Sequence, residues 1–302
     1  MQIEETVLTF QVPGHTGSGE FYVDVAKAMS IVNRKLNRQQ GLWSVLGMNF
    51  FVQDSGSGAG IPYEVAVSGA PRTWVTRNAM VKIFHLWLDQ QRHVQDSLDN
   101  NIKPRWEDFK VYLNENHRTS GDLVPVSGHP FGGVDGYQAG EWVHSKIVFE
   151  EVDGAGLVVE HEPELHILGP DNGDINKGII NQYAISRAYP VSPDPALPNI
   201  ASSLYAEATD PLAEQMQEIA LNMATDNNEP PYDVDDYPGG ASNGIEPLLY
   251  AYGANTNTLG RKVVLNGFSA PNGLLEIQVD AGSVENPAEV YFQLIVGRRS
   301  DY

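Results

Sequence analysis

Arg261-Lys262-Val263-Val264-Leu265-Asn266-Gly267-Phe268, then Ser269-Ala270-Pro271-Asn272-Gly273, then Leu274-Leu275-Glu276-Ile277-Gln278-Val279-Asp280: this stretch reads as strand, turn, strand. The centre gathers proline, asparagine and glycine, residues that set or tolerate turn dihedrals. In the second strand Leu275, Ile277 and Val279 share one face and Glu276, Gln278 and Asp280 the other, the period of a half-buried strand. Just beyond, Val290 to Val296 is apolar on both faces, as expected between two layers or at a subunit contact.

The same period recurs towards the N-terminus. Glu5 to Val12 reads as a first strand, stopped by Pro13-Gly14. Trp43 to Gln53 and Pro62 to Ser68 follow. Trp142 to Val152 and Gly156 to His161 flank Asp153-Gly154, a hairpin-turn dipeptide. Glu164 to Leu168 and Ile179 to Arg187 also read as extended. Helices interrupt the strands. Asp24 caps one reaching to about Arg38, with Val25, Met29, Val32 and Leu36 on one stripe and Gly41 beyond its end. Thr76 caps a longer one with Met80, Phe84, Trp87 and Leu88 on its apolar face, and a short one over Trp106–Leu113 follows Pro104. Asp210-Pro211 opens another, with Leu212, Met216, Ile219 and Met223 at helical spacing. Strands with scattered helices, not alternating βα units, give a mainly β fold: a jelly-roll β-sandwich with helical insertions near 24–38, 76–115 and 210–225. Roughly eleven to thirteen strands fit one roll of about eight plus insertions better than two rolls needing about sixteen. One domain over 1–302 is therefore expected. The stiff connector 189–199, with Pro190, Pro193, Pro195 and Pro198, marks the boundary if a double roll holds instead.

Composition narrows the function. With 302 residues, 41% of them hydrophobic, the chain can build a large core, and zero cysteines removes disulfides, thiolate catalysis and cysteine metal sites. MQIEETVLTF has no basic n-region of a signal peptide, and no run of about 18 apolar residues predicts a membrane helix, so no membrane insertion is expected. The net charge of −20 is unevenly placed. Residues 1–120 hold 12 basic and 12 acidic residues, and residues 121–302 hold the other 7 basic and 27 acidic ones. A polyanion is repelled by the second part, so any nucleic acid must meet the first.

Motifs for chemistry are weak. Gly56-Ser57-Gly58-Ala59-Gly60 follows a strand but leads into another, so no helix N-terminus meets a phosphate. Gly14 to Gly19 lacks the Lys-Ser/Thr pair of a phosphate loop. His161 and His166 are five apart with Pro163 between them, which puts them on opposite faces of an extended chain and not on one face of a metal-binding helix. Asp171-Asn172-Gly173-Asp174 lacks the later glutamate of a calcium loop and reads as an Asx turn. Asp233, Asp235 and Asp236, with Glu229 nearby, are calcium candidates at a subunit contact, against the alternative of a solvated acidic loop. No Gly-x-Ser-x-Gly elbow occurs and no pair of acids stands out, so no catalytic residue and no other cofactor is assigned. The basic residues cluster: Arg34, Lys35 and Arg38 close the first helix, Arg72, Arg77, Lys82 and Arg92 accompany the second, and Lys103, Arg105 and Lys110 follow, with Trp74, Trp87 and Trp106 interleaved. These cations either complement helix dipoles, with the tryptophans in the core, or line a surface facing nucleic acid.

Three segments carry a resemblance. Tyr22-Val23-Asp24-Val25 through Ser30-Ile31-Val32-Asn33-Arg34, Trp74-Val75-Thr76-Arg77-Asn78-Ala79, and Phe268-Ser269-Ala270-Pro271-Asn272-Gly273-Leu274-Leu275 resemble capsid proteins of small tailless icosahedral DNA viruses and phages, familiar from marine sequences. The resemblance implies a non-enzymatic jelly-roll protein of the virion, whose many copies self-assemble, with other virion proteins, around a DNA genome. In that setting Arg34, Lys35, Arg38, Arg77, Lys82 and Arg92 face the genome, and the acidic loops after residue 121 face outward. Such proteins often carry a basic N-terminal arm, which this sequence lacks. Two other expectations stand beside it: a carbohydrate-binding or carbohydrate-cleaving jelly roll, and a viral spike or accessory protein.

Overall fold

The computed structural model describes residues 6–54, 61–97, 104–129, 133–152, 154, 156–187, 231–233, 236–242, 244–255, 261–282 and 288–302. In chain order the elements are β1 (Val7–His15), β2 (Gly17–Asp24), α1 (Val25–Asn33), β3 (Leu42–Asp54), β4 (Ile61–Gly69), α2 (Trp74–Ser97), α3 (Glu115–Ser120), β5 (Val126–His129), β6 (Gly133–Gly136), β7 (Phe149–Val152), β8 (Val158–His161), β9 (Glu164–His166), β10 (Asn176–Gly178), α4 (Ile179–Ser186), β11 (Glu246–Asn255), β12 (Arg261–Pro271), β13 (Leu274–Ala281) and β14 (Ala288–Ser300). The chain divides into two units, Met1–Tyr183 with Tyr237–Tyr302, and Ala184–Asp236. In the second unit the described residues are the end of α4 and 187, 231–233 and 236. The helix expected at 210–225, the connector 189–199 and Asp235 lie outside the described residues.

The strands build two main sheets, ordered β12-β3-β14-β1-β5-β6 and β11-β4-β13-β2, every pairing within them antiparallel. Their apolar faces meet in one core. Leu8, Phe10 and Val12 of β1 and Val290, Phe292, Leu294 and Val296 of β14 face Val65 and Val67 of β4 and Leu275, Ile277 and Val279 of β13. Phe10 and Phe292 are register partners whose rings stack 5.0 Å apart, a cross-strand aromatic pair. In β3 the buried positions change parity, from Trp43 and Val45 to Met48, Phe50 and Val52. The cause is a bulge: Ile295 pairs Gly47 while Val296 pairs Val45, leaving Leu46 unpaired and exposed. Gly267 sits beside that bulge, where a Cβ would fall 2.6 Å from the Leu46 carbonyl oxygen.

The turn at Asn272-Gly273 forms as expected, with both residues at positive φ and Gly273 N–H bonded to the Ala270 carbonyl at 3.1 Å. It does not make a hairpin. β12 pairs with β3 in one sheet and β13 with β2 and β4 in the other, so the turn is a corner between layers. Alternation in β13 holds, yet its polar face is covered too. Glu276 is buried and accepts from Asn114 and Gln278. The cover is the segment between β4 and β11, which builds a second core. Val75, Ala79, Met80 and Trp87 of α2 pack with Phe109, Val111, Leu113, Leu165, Ile167 and Ile180, against Tyr22 of β2 and Leu274 of β13.

Several expected boundaries are corrected. Asp24 caps α1 through the Lys27 N–H at 3.0 Å, worth about 1 kcal/mol, but the helix ends at Asn33, not Arg38, because Arg34 turns left-handed at φ 54°. α2 starts at Trp74, with Thr73 and not Thr76 as the side chain accepting from the first turn. Trp106–Leu113 is not a helix: Trp106 lies in a turn closed by the Glu107 N–H to the Pro104 carbonyl at 3.4 Å, and 107–111 carry no regular structure, so the 76–115 insertion is helical only in part. Its backbone donors are engaged sideways: Lys110 N–H by Ser145 Oγ, Val111 N–H by Gln39 Oε1 and Tyr112 N–H by the Leu165 carbonyl. The stretch Ile179–Arg187, expected to be extended, holds the helix α4 (Ile179–Ser186), which buries Ile179, Ile180 and Tyr183 at helical spacing. Within Trp142–Val152 only Phe149–Val152 is strand, and Pro13-Gly14 does not stop β1, which runs on to His15 through a register shift. β2 and β11 form where no strand was read. Among the described residues no helix is long and apolar enough to cross a membrane.

Candidate nucleic-acid interface

The C-terminal end of α1 and the 104–110 segment border a hollow of about 260 Å³, lined by Lys27, Arg34, Lys35, Trp106, Lys110 and Trp142 among others. The left-handed turn at Arg34 returns the chain onto the helix, where Asn37 N–H donates to Ser30 Oγ at 2.8 Å. That turn sets Arg34 and Lys35 at the rim. A second hollow of about 620 Å³ adjoins the first, shares Trp106, Lys110 and Glu141 with it, and adds Trp87, Arg105, Asp108, His144 and Lys146.

Trp106 is 57% exposed, with the Arg105 guanidinium 5.2 Å from its ring centroid. Lys110 lies at the floor, 5% exposed, its Nζ 4.5 Å from the Trp142 ring and donating to the Trp106 carbonyl at 3.4 Å. Burial holds its pKa below the usual lysine value, opposed by the charge of Asp108. Arg38 reaches Asp108 at 3.8 Å across the solvent boundary. Burial raises the Asp108 pKa in spite of that partner. Burial also lowers His144 to about 3, so this imidazole, stacked on Tyr112, is neutral near pH 7. Lys27, Arg34, Lys35, Arg105, Lys110 and Lys146 face Glu107, Asp108 and Glu141 here, a local cationic excess in a chain of net −20. An exposed indole beside lysines and arginines can stack a base while the cations hold phosphates.

Beneath the hollow a buried polar network fixes its walls. Asp24 accepts from Lys27 N–H, Gln39 Nε2 at 3.0 Å and Trp142 Nε1 at 3.1 Å. Gln39 also joins Val111 like a strand neighbour, donating to its carbonyl at 2.9 Å and accepting its N–H at 2.7 Å. Burial first, then the Asp122 charge, raises Asp24 to about 6. Burial pushes Asp122 upward as well, but the His117 hydrogen bond at 2.6 Å and the Lys27 ammonium at 2.7 Å outweigh it and hold its pKa low. His117 Nδ1 accepts the Leu113 N–H, so Nε2 carries the proton donated to Asp122. This His–Asp pair is sealed from solvent, at 0% and 3% side-chain exposure, and acts by tying α3 to α1.

The expected cations therefore separate into two groups. Arg34 and Lys35 line the hollow and Arg38 borders it. Arg77, Lys82 and Arg92 stand on the exposed side of α2, outside both linings: Lys82 lies over the Tyr183 ring and Arg92 pairs with Asp89 at 3.1 Å. Of the calcium candidates, Asp233 and Asp236 are exposed, and the Asp236 N–H donates to the Asp233 carbonyl at 3.4 Å. Among the described residues no three His, Asp or Glu side chains gather as metal ligands. His166 is buried between the Leu168 carbonyl and Asn176, while His161 pairs with Asp174 at 3.3 Å. Asp171 accepts the Gly178 N–H at 2.8 Å and the Gln182 side-chain amide, at the start of α4 and not within its own turn. Trp142, Lys27 and Glu141 join the site without a signal in the sequence. Trp142 reads as the start of a strand, and nothing in its spacing from Asp24 signals the hydrogen bond that orients it.

By class this is a mainly β protein of antiparallel sheets in two packed layers, carrying an aromatic and cationic hollow beside its first helix. No family model matches the chain, and neither a curated protein nor a solved structure matches it.

Proposed function

We propose that the chain is a viral shell protein, a single jelly roll whose copies assemble into a closed icosahedral particle around DNA, with the Trp106 hollow turned towards the genome. The observation that carries this reading is the nesting of the strand pairs. β1 pairs with β14, β2 with β13, β3 with β12 and β4 with β11, all antiparallel, first with last and inward. That is the order expected when one long hairpin is wound into two sheets, and eight strands in it support a single roll over a double one. The resemblance of residues 22–34, 74–79 and 268–275 points the same way. In this reading Arg34, Lys35 and Arg38 neutralise phosphates and Trp106 stacks on an accessible base. The chain is a structural component of the virion, working with other copies of itself and with other virion proteins.

The test is particle size of the purified protein by light scattering and negative-stain microscopy, across salt concentration and with or without calcium. Closed particles of tens of nanometres are expected. A species that never exceeds a small discrete oligomer, with or without added DNA, overturns the shell reading. A second reading has one observation in its favour: an exposed tryptophan beside Glu107, Asp108 and Glu141 also suits a sugar ring. Retention on polysaccharide columns that is lost in Trp106→Ala, without oligonucleotide binding, would favour it.

A further inference from the structure

β7 and β8 form a two-stranded ribbon whose residues are exposed throughout, apart from half-buried His161 at its root. Such a ribbon is marginal alone in water, and this one displays apolar side chains, with Val152 64% and Val158 63% exposed. Its root is nevertheless fixed. Gln90 of α2 donates to the Val148 carbonyl at 2.6 Å and accepts the Val148 N–H at 3.3 Å. On one face Phe149 stacks on His161, which reaches Asp174. The register places Val152 opposite Val158 and Glu150 opposite Glu160 on the other face. That face therefore joins a valine pair to two like charges directly across from each other, an arrangement unfavourable until a cation meets it.

We infer that this face docks on the exposed side of α2 of a second copy of the chain. The exposed residues of α2 include Arg77 and Lys82, with Arg92 shared with Asp89, and Leu86, one turn beyond Lys82, is 48% exposed. Cations and an apolar side chain there complement glutamates and valines on the ribbon. Charge also selects the geometry. Ribbon against ribbon across a twofold axis would bring four glutamates together, so the ribbon meets α2 and not another ribbon, and each copy offers one ribbon and accepts another. Repeated with a closing rotation, that contact makes rings. The inference rests on the shell reading and names one of its subunit contacts. It assigns the α2 cations to a neighbouring subunit and leaves the genome to Arg34, Lys35 and Arg38.

The test is a charge exchange in the full-length protein, read by sedimentation velocity over a concentration series at low salt. Glu150→Lys with Glu160→Lys, and separately Arg77→Glu with Lys82→Glu, should each raise the concentration for half-association at least tenfold, with circular dichroism unchanged. All four substitutions in one chain restore complementarity and should return the midpoint to within threefold of the unsubstituted protein. Unchanged association in the Glu150→Lys, Glu160→Lys variant, or no recovery in the fourfold variant, overturns the contact. If closed particles still form in that case, the shell reading stands without it. Recovery by exchange in a protein that stops at a small ring supports the contact and overturns the shell. A protein that remains monomeric at every concentration overturns both.

Discussion

Replacing Gln39 by leucine tests the buried network most directly. The side chains are close in volume, and Gln39 is fully buried, so the substitution removes hydrogen bonds without opening a large cavity. It leaves the Val111 N–H and carbonyl without their partners at 2.7 and 2.9 Å, and takes one of three donors from Asp24. Each orphaned backbone group costs about 1–3 kcal/mol and the lost donor about 1, offset by about 1 for the added apolar burial. The net loss is about 3 kcal/mol, roughly a hundredfold in the folding equilibrium. Urea unfolding followed by tryptophan fluorescence measures it, and hydrogen exchange should show the loss concentrated at residues 109–113 and at the start of α1. Gln39→Glu adds a pH signature, because a second carboxyl beside Asp24 is repelled when both are ionised. That variant should be weakest above pH 7 and regain stability as pH falls below about 6. A loss under about 0.5 kcal/mol in Gln39→Leu, well below the cost of one orphaned buried group, would refute the reasoning.

Other outcomes follow from the same geometry. Asp24 is held at about 6 in the fold against 3.8 in the unfolded chain, so its contribution to stability rises as pH falls from 6 towards 4 and is absent above about pH 7. The span is about 3 kcal/mol at most, visible as the difference in urea midpoints between the unsubstituted protein and Asp24→Asn across pH 4–7. Gly273→Ala places a Cβ 2.9 Å from Trp43 Cδ1 at a residue with φ 67°, and should cost about 1–2 kcal/mol in thermal unfolding. Trp106→Ala should weaken single-stranded oligonucleotide binding roughly 5- to 100-fold in fluorescence anisotropy, because one stacked base is worth about 1–3 kcal/mol. Arg34→Gln with Lys35→Gln should instead lower affinity for every sequence and flatten its salt dependence by about 1–2 units of slope.

The face of a strand is legible in a sequence; its partner is not. Alternation at Leu275, Ile277 and Val279 identifies the core side of β13, and Asp24 announces the start of α1. Nothing local tells that the Asn272-Gly273 turn changes sheets, because a two-residue turn looks the same whether its strands pair with each other or with distant ones. Trp106 to Leu113 fits helical and extended periods equally, and its state is decided by Gln39, Ser145 and Leu165, far along the chain. The candidate site divides in the same way. The cluster Arg34, Lys35 and Arg38 could be read from adjacent positions, whereas the hollow depends on Trp142 and Glu141 arriving from a remote loop. The separation of the α2 cations from that hollow depends on helix rotation, which charge counting does not contain.

The pairing of β1 with β14 has a consequence for synthesis. Gln11 and Tyr291, which meet across that pair, are 280 residues apart, and the central position of β14 makes it the support of both β1 and β3. On the ribosome, β1 must wait for its partner while the intervening chain is made. Contacts this distant make folding slow. The six-stranded sheet cannot form until translation has passed residue 300, so incomplete chains lack the scaffold that fixes α1 and the loops around it. Synthesis of β14 thus becomes a checkpoint for the native state: a chain cut short before β14 should be captured by chaperones or degraded.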